Sequence, residues 1–165
     1  MPAEHAILAE IPRLRRYARA LTGNDTDADD LLQDTLERAL GKWLLWRPGN
    51  LRAWLLTMMH HVFLNQLRSR PALVPLDDDA PAIPVRPQQQ DELEVRDLDR
   101  ALACLLPDQR EVLLLVGLEE LSYADTARIL GIPQGTVMSR LSRAREKLRA
   151  ILAGEDRPVH LKVVK

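Results

Sequence analysis

The stretch LSYADTARILGIPQGTVMSRLSRAREKLR, residues 121–149, decides how this chain is read. Ser122-Tyr123-Ala124-Asp125 is a capping-box pattern, so a helix is expected to open there and run over about 123–130. Gly131 closes it. After Gly131-Ile132-Pro133 a longer helix is expected to reach about Leu152, with Pro133 near its first turn, where proline is tolerated. Two helices joined by a tight glycine-containing turn are the helix-turn-helix signature. Val137, Leu141, Ala144, Leu148 and Ile151 recur at alternating four- and three-residue steps and therefore face inward. Thr136, Ser139, Arg140, Ser142, Arg143 and Arg145 are left largely outside. Residues 135–149 hold five basic side chains against one acid, Glu146. Such a helix reads either as a solvated basic surface or as a major-groove reader. In the groove, arginine pairs with guanine through two hydrogen bonds, and Ser or Thr meets bases or phosphates. Cap, turn and charge agree on the second reading.

Upstream of this stretch, Leu98, Ala101, Leu102 and Leu105 mark a helix that stops before Pro107. Asp108 opens the run QREVLLLVGLEEL, apolar enough to be the central helix of a small bundle. Cys104, the one cysteine, lies near the apolar stripe and reads as a quiet buried thiol.

The first block is also helical. Ile7, Leu8, Ile11, Leu14, Ala18 and Leu21 have helical spacing over about 3–21, with Arg13, Arg16 and Arg19 opposite and Gly23-Asn24 as the stop. Thr26 with Asp29 resembles a capping box for a helix over about 27–41. That helix shows Ala28, Leu31, Leu32, Thr35, Leu36, Ala39 and Leu40 on one side and Asp29, Asp30, Gln33, Asp34 and Glu37 on the other. On the residues alone, the acidic side is a solvated face, its first turns suited to the positive end of the helix dipole. Pro48-Gly49 marks a turn, and Asn50 caps a third helix over about 51–69 with Leu51, Trp54, Leu55, Met58, Val62 and Leu67 inward. Trp43 and Trp46 flank the turn beside Lys42, Arg47 and Arg52. Rings beside cations suit single-stranded nucleic acid, since bases stack on the former and phosphates bind the latter. His60-His61 lacks the spacing a helical metal site needs, so no metal is expected.

Length and charge set the frame. The chain has 165 residues and a formal net charge of -1. That small value hides a segregation: residues 1–70 carry ten Lys/Arg against eight Asp/Glu, residues 71–99 two against eight, and residues 100–165 eleven against eight. The acidic middle holds Pro71, Pro75, Pro81, Pro84 and Pro87 and the run Asp77-Asp78-Asp79. It reads as an extended linker over about 71–91, the alternative being an ordered surface loop. The expected fold is all-α: two small helical domains joined by a flexible acidic linker. No apolar run reaches the ~18 residues of a membrane span, the N-terminal stretch does not read as a signal peptide, and no glycine-rich phosphate loop is present. A secreted, membrane or nucleotide-hydrolysing protein is therefore disfavoured, and a cytoplasmic one expected.

The second block, LPDQREVLLLVGLEELSYADTARILGIPQGTVMSRLSRAREKLR, resembles region 4 of bacterial extracytoplasmic-function (ECF) sigma factors. The first, DADDLLQDTLERAL and LRAWLLTMMHHVFLNQLRSR, is similar to region 2. Together they cover about residues 10–152 in the expected order. The resemblance implies region 2 over 1–70, a linker over 71–91, region 4 over 92–153 and a C-terminal tail over 154–165. It implies core RNA polymerase, promoter DNA and an anti-sigma factor as partners, with no cofactor, no catalysis and no membrane insertion. It turns the acidic face (Asp29, Asp30, Gln33, Asp34) into a docking surface for the polymerase. By position it makes Trp46, Arg47, Asn50, His60, His61 and Asn65 candidates for the -10 element. Ser139, Ser142 and Arg143 become -35 contacts, with Thr136 and Arg140 on phosphates. The acidic linker would mimic nucleic acid inside the polymerase.

The chain departs from the family pattern at His60-His61, where an Arg-Asn pair is usual, at Asn65 in place of Asp, and at Met138 in place of Lys or Arg. These fall on promoter-facing positions and bear on which promoter is read. Three other readings compete: a stand-alone helix-turn-helix regulator, a sigma mimic that titrates an anti-sigma factor, and an enzyme. The first lacks use for the acidic helix and tryptophan turn. The second should have lost Arg140, Arg143, Arg145, Lys147 and Arg149. The third has no carboxylates converging on His or Cys.

Overall fold

The computed structural model describes residues 2–47, 49–69 and 90–154, and every regular element among them is helical. The first block holds α1 (Pro2–Thr22), α2 (Asp25–Gly41), one 3-10 turn (Trp43–Leu45) and α3 (Leu51–Ser69). The second holds α4 (Gln90–Ala103), α5 (Pro107–Gly117), α6 (Tyr123–Leu130) and α7 (Gln134–Leu152).

Local chemistry accounts for the boundaries. α1 ends at Gly23, whose φ of 87° is left-handed and lets its N–H reach the Arg19 carbonyl at 2.9 Å. The cap of α2 is Asn24, not Thr26 as the capping-box pattern suggests. The Asn24 side chain accepts from Asp27 N–H at 2.8 Å and donates to the Asp27 carboxylate at 2.9 Å, which starts the helix a half-turn earlier. Asn50 caps α3 as expected, accepting from Ala53 N–H at 3.1 Å. Ser122 accepts from Asp125 N–H at 3.0 Å to open α6, and Gly131 closes it with φ 67°. Pro107 occupies the first turn of α5, where its missing N–H has no helical partner to lose. α4 begins at Gln90, so it takes the last two residues assigned to the linker, whose remainder lies outside the described residues together with Pro48 and the tail beyond Gly154.

Packing follows the apolar stripes. α1 and α2 pair through Leu14, Ala18, Leu21, Ala28, Leu31 and Leu32, and α3 closes that layer with Leu55, Leu56, Met59 and Val62. In the second block α7 lies across α4, α5 and α6, burying Val137, Leu141 and Ala144 as the spacing predicts. Each fully buried leucine contributes about 1.5–3 kcal/mol. Thr35 is buried in α2 with its hydroxyl donating to Leu31 O at 2.7 Å, so the polar atom is not orphaned. Cys104 is exposed, contrary to expectation: α4 ends at Ala103, and Leu105 in the following turn takes the inward place.

The sequence suggested two domains on a tether. The structure packs the blocks against each other, α3 on α6 and α1 on α4 and α5, within one continuous hydrophobic cluster. This is why buried residues of α3 (Leu55, Leu56, Met58, Met59, His60, Val62 and Phe63) go beyond one stripe: the helix is covered from two sides.

Candidate nucleic-acid interface

α7 presents the outward row that its spacing predicts. Ser139, Ser142, Arg143 and Arg145 are exposed, while Thr136 and Arg140 are half-buried. The Ser139 hydroxyl donates to Thr136 O at 3.1 Å, and Arg140 leans back with Nε 3.8 Å from the Asp108 carboxylate. Among the described residues Arg143 has no such tie, so its guanidinium is open to a ligand. Tyr123, Met138, Ser142, Arg145 and Arg149 line one open cleft beside this row. A convex cationic helix flanked by a shallow cleft has the form that fits a duplex groove.

The turn after α2 has a different character. Trp43 and Trp46 stack with ring centres 4.9 Å apart, and Trp43 meets Trp54 edge-on at 6.2 Å. All three rings are half-buried, so Trp54 is only partly the core residue its spacing suggests. Trp54 and Trp43 anchor the stack to α3, and Trp46 is the outer ring. Arg47 and Asn50 beside it are exposed. Sequence reasoning passed over Leu44 and Leu45, which are 97% and 72% exposed at this tip. Apolar side chains held in water next to a ring stack form a surface suited to unpaired bases.

α3 separates its two histidines. His61 is exposed, and partial desolvation, then His60, Arg38 and Lys42, hold its pKa below the usual imidazole value. His60 is 8% exposed and faces the second block, where its Nδ1 lies 2.5 Å from the Glu111 carboxylate. In this arrangement His60 is not open to DNA. Asn65 is exposed and shares a cleft with Asp34, Glu37, Arg38 and Gln66. Gln66 donates to Asp34 at 3.0 Å, tying α3 to the acidic helix.

Asp29, Asp30, Gln33 and Asp34 are all exposed on α2, as its amphipathic spacing requires. Two sequence-assigned groups thus converge where no pattern predicted it: Asp34 from the acidic face and Asn65 from α3 border the same cleft.

Comparison with known proteins bears on both blocks. Residues 7–60 match the family model described as the Sigma2 domain of PhyR, and residues 96–148 match Sigma-70, region 4. The chain is 44% identical to the ECF RNA polymerase sigma factor EcfG of Rhodopseudomonas palustris, over 88% of this chain and 82% of that protein. It is 35% identical to the ECF RNA polymerase sigma factor SigM of Mycobacterium tuberculosis, over 85% of this chain and 71% of the relative. Among solved structures, the sigma factor RpoE of Bartonella quintana, in complex with the anti-sigma factor NepR, superposes with a TM-score of 0.75 at 38% identity, covering 93% of this chain and 98% of that one.

Proposed function

The chain belongs to the ECF RNA polymerase sigma factors, and on that footing we propose how its residues divide the work of promoter-specific initiation. Its partners are core RNA polymerase, promoter DNA and an anti-sigma factor. It is a regulatory protein; no reaction is catalysed by its own side chains. Residues 1–70 act as region 2 and residues 92–153 as region 4, joined by the acidic segment 71–91 and followed by the tail 154–165.

Asp29, Asp30, Gln33 and Asp34 dock on the polymerase. Trp46, Arg47 and Asn50, with His61 and Asn65 from α3 and with His60 once α3 is freed from the second block, open and hold the -10 element. Ser139, Ser142 and Arg143 read the -35 duplex, with Thr136 and Arg140 on phosphates. The observation that carries this reading is one chain holding an exposed acidic helix face, a stacked tryptophan turn and an exposed cationic helix-turn-helix, in the family's order.

The energetics require both halves. Duplex binding is dominated by phosphate contacts and falls with salt, and each good base contact adds roughly 1–3 kcal/mol. Extruding a base costs a few kcal/mol, offset by stacking of about 1–3 kcal/mol on an aromatic side chain. Neither block need bind DNA tightly alone, because mounting both on one polymerase makes the second contact intramolecular. The formal net charge of -1 suits a chain that binds free DNA poorly.

The deciding experiment is transcription with purified core polymerase on a promoter library. Specific starts that appear only when this chain is added support the reading. Failure to associate with core enzyme, or to direct initiation, ends it. A stand-alone repressor would instead bind a symmetric operator without polymerase.

A further inference from the structure

We propose that His60 and Glu111 form a proton-sensitive latch that holds the two blocks of the free chain closed and withholds the promoter-facing side of α3 from DNA. The consequence for DNA rests on the sigma-factor reading above; the latch itself rests on geometry.

His60 on α3 and Glu111 on α5 are 51 positions apart in sequence and 8% and 3% exposed, with Nδ1 and Oε2 2.5 Å apart. Both are buried polar groups, so while the blocks are closed each serves as the other's hydrogen-bond partner. The neighbouring charges are few. Glu111 faces Arg140 of α7 and Asp108 of its own helix, and Tyr17 of α1 lies close enough to feel it. On the other side, His61 of α3 stands beside His60 and near the cations Arg38 of α2 and Lys42, the residue that follows that helix. A second carboxylate is also buried in the closed form: Glu119, 7% exposed, with Oε1 unbonded. Glu10, Arg13, Arg16 and Arg52 of the first block stand around it.

The proton balance follows. With the blocks apart, both groups are in water and the Glu111 carboxyl returns to its ordinary value. At neutral pH the separated Glu111 carboxyl is ionised. With the blocks closed, one proton between ring and carboxylate makes the pair neutral overall. Without that proton, closure buries an uncompensated negative charge, which opposes it. Closing therefore favours proton uptake by the pair. Burial raises the Glu111 carboxyl above its ordinary value, with His60 opposing, and burial raises Glu119 too, so both act in the same direction. The closed share falls as pH rises, by up to tenfold in the closed-to-open ratio per pH unit for each proton taken up.

The test uses the full-length chain with two spin labels, one on native Cys104 and one on Thr26→Cys, both at exposed positions. Inter-label distances are measured at pH 6 and pH 8. The latch predicts one short distance at pH 6 and a growing longer population at pH 8. Glu111→Gln removes this carboxyl and leaves only Glu119 to respond, so its distribution should change less between the two pH values than the wild type's. His60→Gln serves as the second variant, read the same way, and circular dichroism confirms that each is folded. A wild-type distribution that does not change with pH, or a folded Glu111→Gln or His60→Gln chain that keeps the wild-type pH response, overturns the latch. Initiation assayed separately with core polymerase distinguishes failure of the latch from failure of the family reading.

Discussion

Arg110 of α5 donates to the backbone carbonyl of Leu21, in the last turn of α1, at 2.7 Å. The same guanidinium donates to Leu102 O at 2.8 Å and Leu105 O at 2.9 Å, so one side chain collects carbonyls from the end of α1 and from the α4–α5 connection. A cation at helix C-terminal carbonyls is favoured by the helix dipole. Burial lowers its pKa from the ordinary arginine value, yet the group stays charged.

Arg110→Met should therefore weaken both the second block and its seam with the first. Hydrogen bonds from a charged donor contribute about 1.5–3 kcal/mol each, so a loss of about 2–4 kcal/mol is expected. Urea denaturation measures it, and a change below about 0.5 kcal/mol would contradict the role given to this residue.

Arg143→Ala should reduce binding of polymerase holoenzyme to promoters with a matched -35 element by about 1–3 kcal/mol and leave core association intact. Arg140→Ala should act more uniformly across sequences and lower the salt dependence. Competition binding at two salt concentrations separates them. Equal, sequence-independent effects would remove the distinction drawn between the two arginines.

Asp30→Ala should weaken association with core polymerase and lower initiation at every promoter alike. Its side chain is exposed, so folding stability should move by less than about 0.5 kcal/mol. Fluorescence-anisotropy titration against core enzyme reads the affinity. Unchanged affinity would return the acidic face to a merely solvated one.

Trp46→Ala should slow promoter opening by about 1–3 kcal/mol, the size of one lost base stack, while -35 duplex binding is kept. Permanganate reactivity of the -10 thymines follows opening directly. Normal opening in this variant would place the unpaired bases elsewhere.

Glu119→Gln should raise stability at neutral pH. Burial holds the Glu119 carboxyl above its ordinary value, against the pull of Arg13, Arg52 and Arg16. The folded chain therefore takes up this proton before the unfolded chain does. Stability from this group rises as pH falls through the raised value and is lost as pH rises past it. The variant should have a higher Tm at pH 7.5 and a flatter pH profile below it. A lower Tm at pH 7.5 would show that the surrounding arginines outweigh burial.

Much of this was legible in order of residues. The cap at Ser122, the stop at Gly131 and the inward set Val137, Leu141 and Ala144 are local, because a helix start, a left-handed stop and an amphipathic stripe depend on neighbours within a few positions. The exposed acids of α2 and the exposed Arg143 follow from the same periodicity. Asn24 was harder to choose, since Thr26 offers a competing cap pattern two residues on and only the hydrogen bonds decide. Cys104 misled because a stripe predicts burial only while the helix continues, and α4 stops one residue before it.

The order of residues alone determined the helices, the two blocks and the family to which the chain belongs, since all three are carried by short-range spacing and by motif. Tertiary structure decided what lies between the blocks. That His60 faces Glu111, that Arg110 reaches Leu21, and that Asp34 shares a cleft with Asn65 are meetings of residues 51, 89 and about 30 positions apart. Periodicity says which side of a helix turns away from water. Only the packing of one helix on another says which buried polar group it finds there.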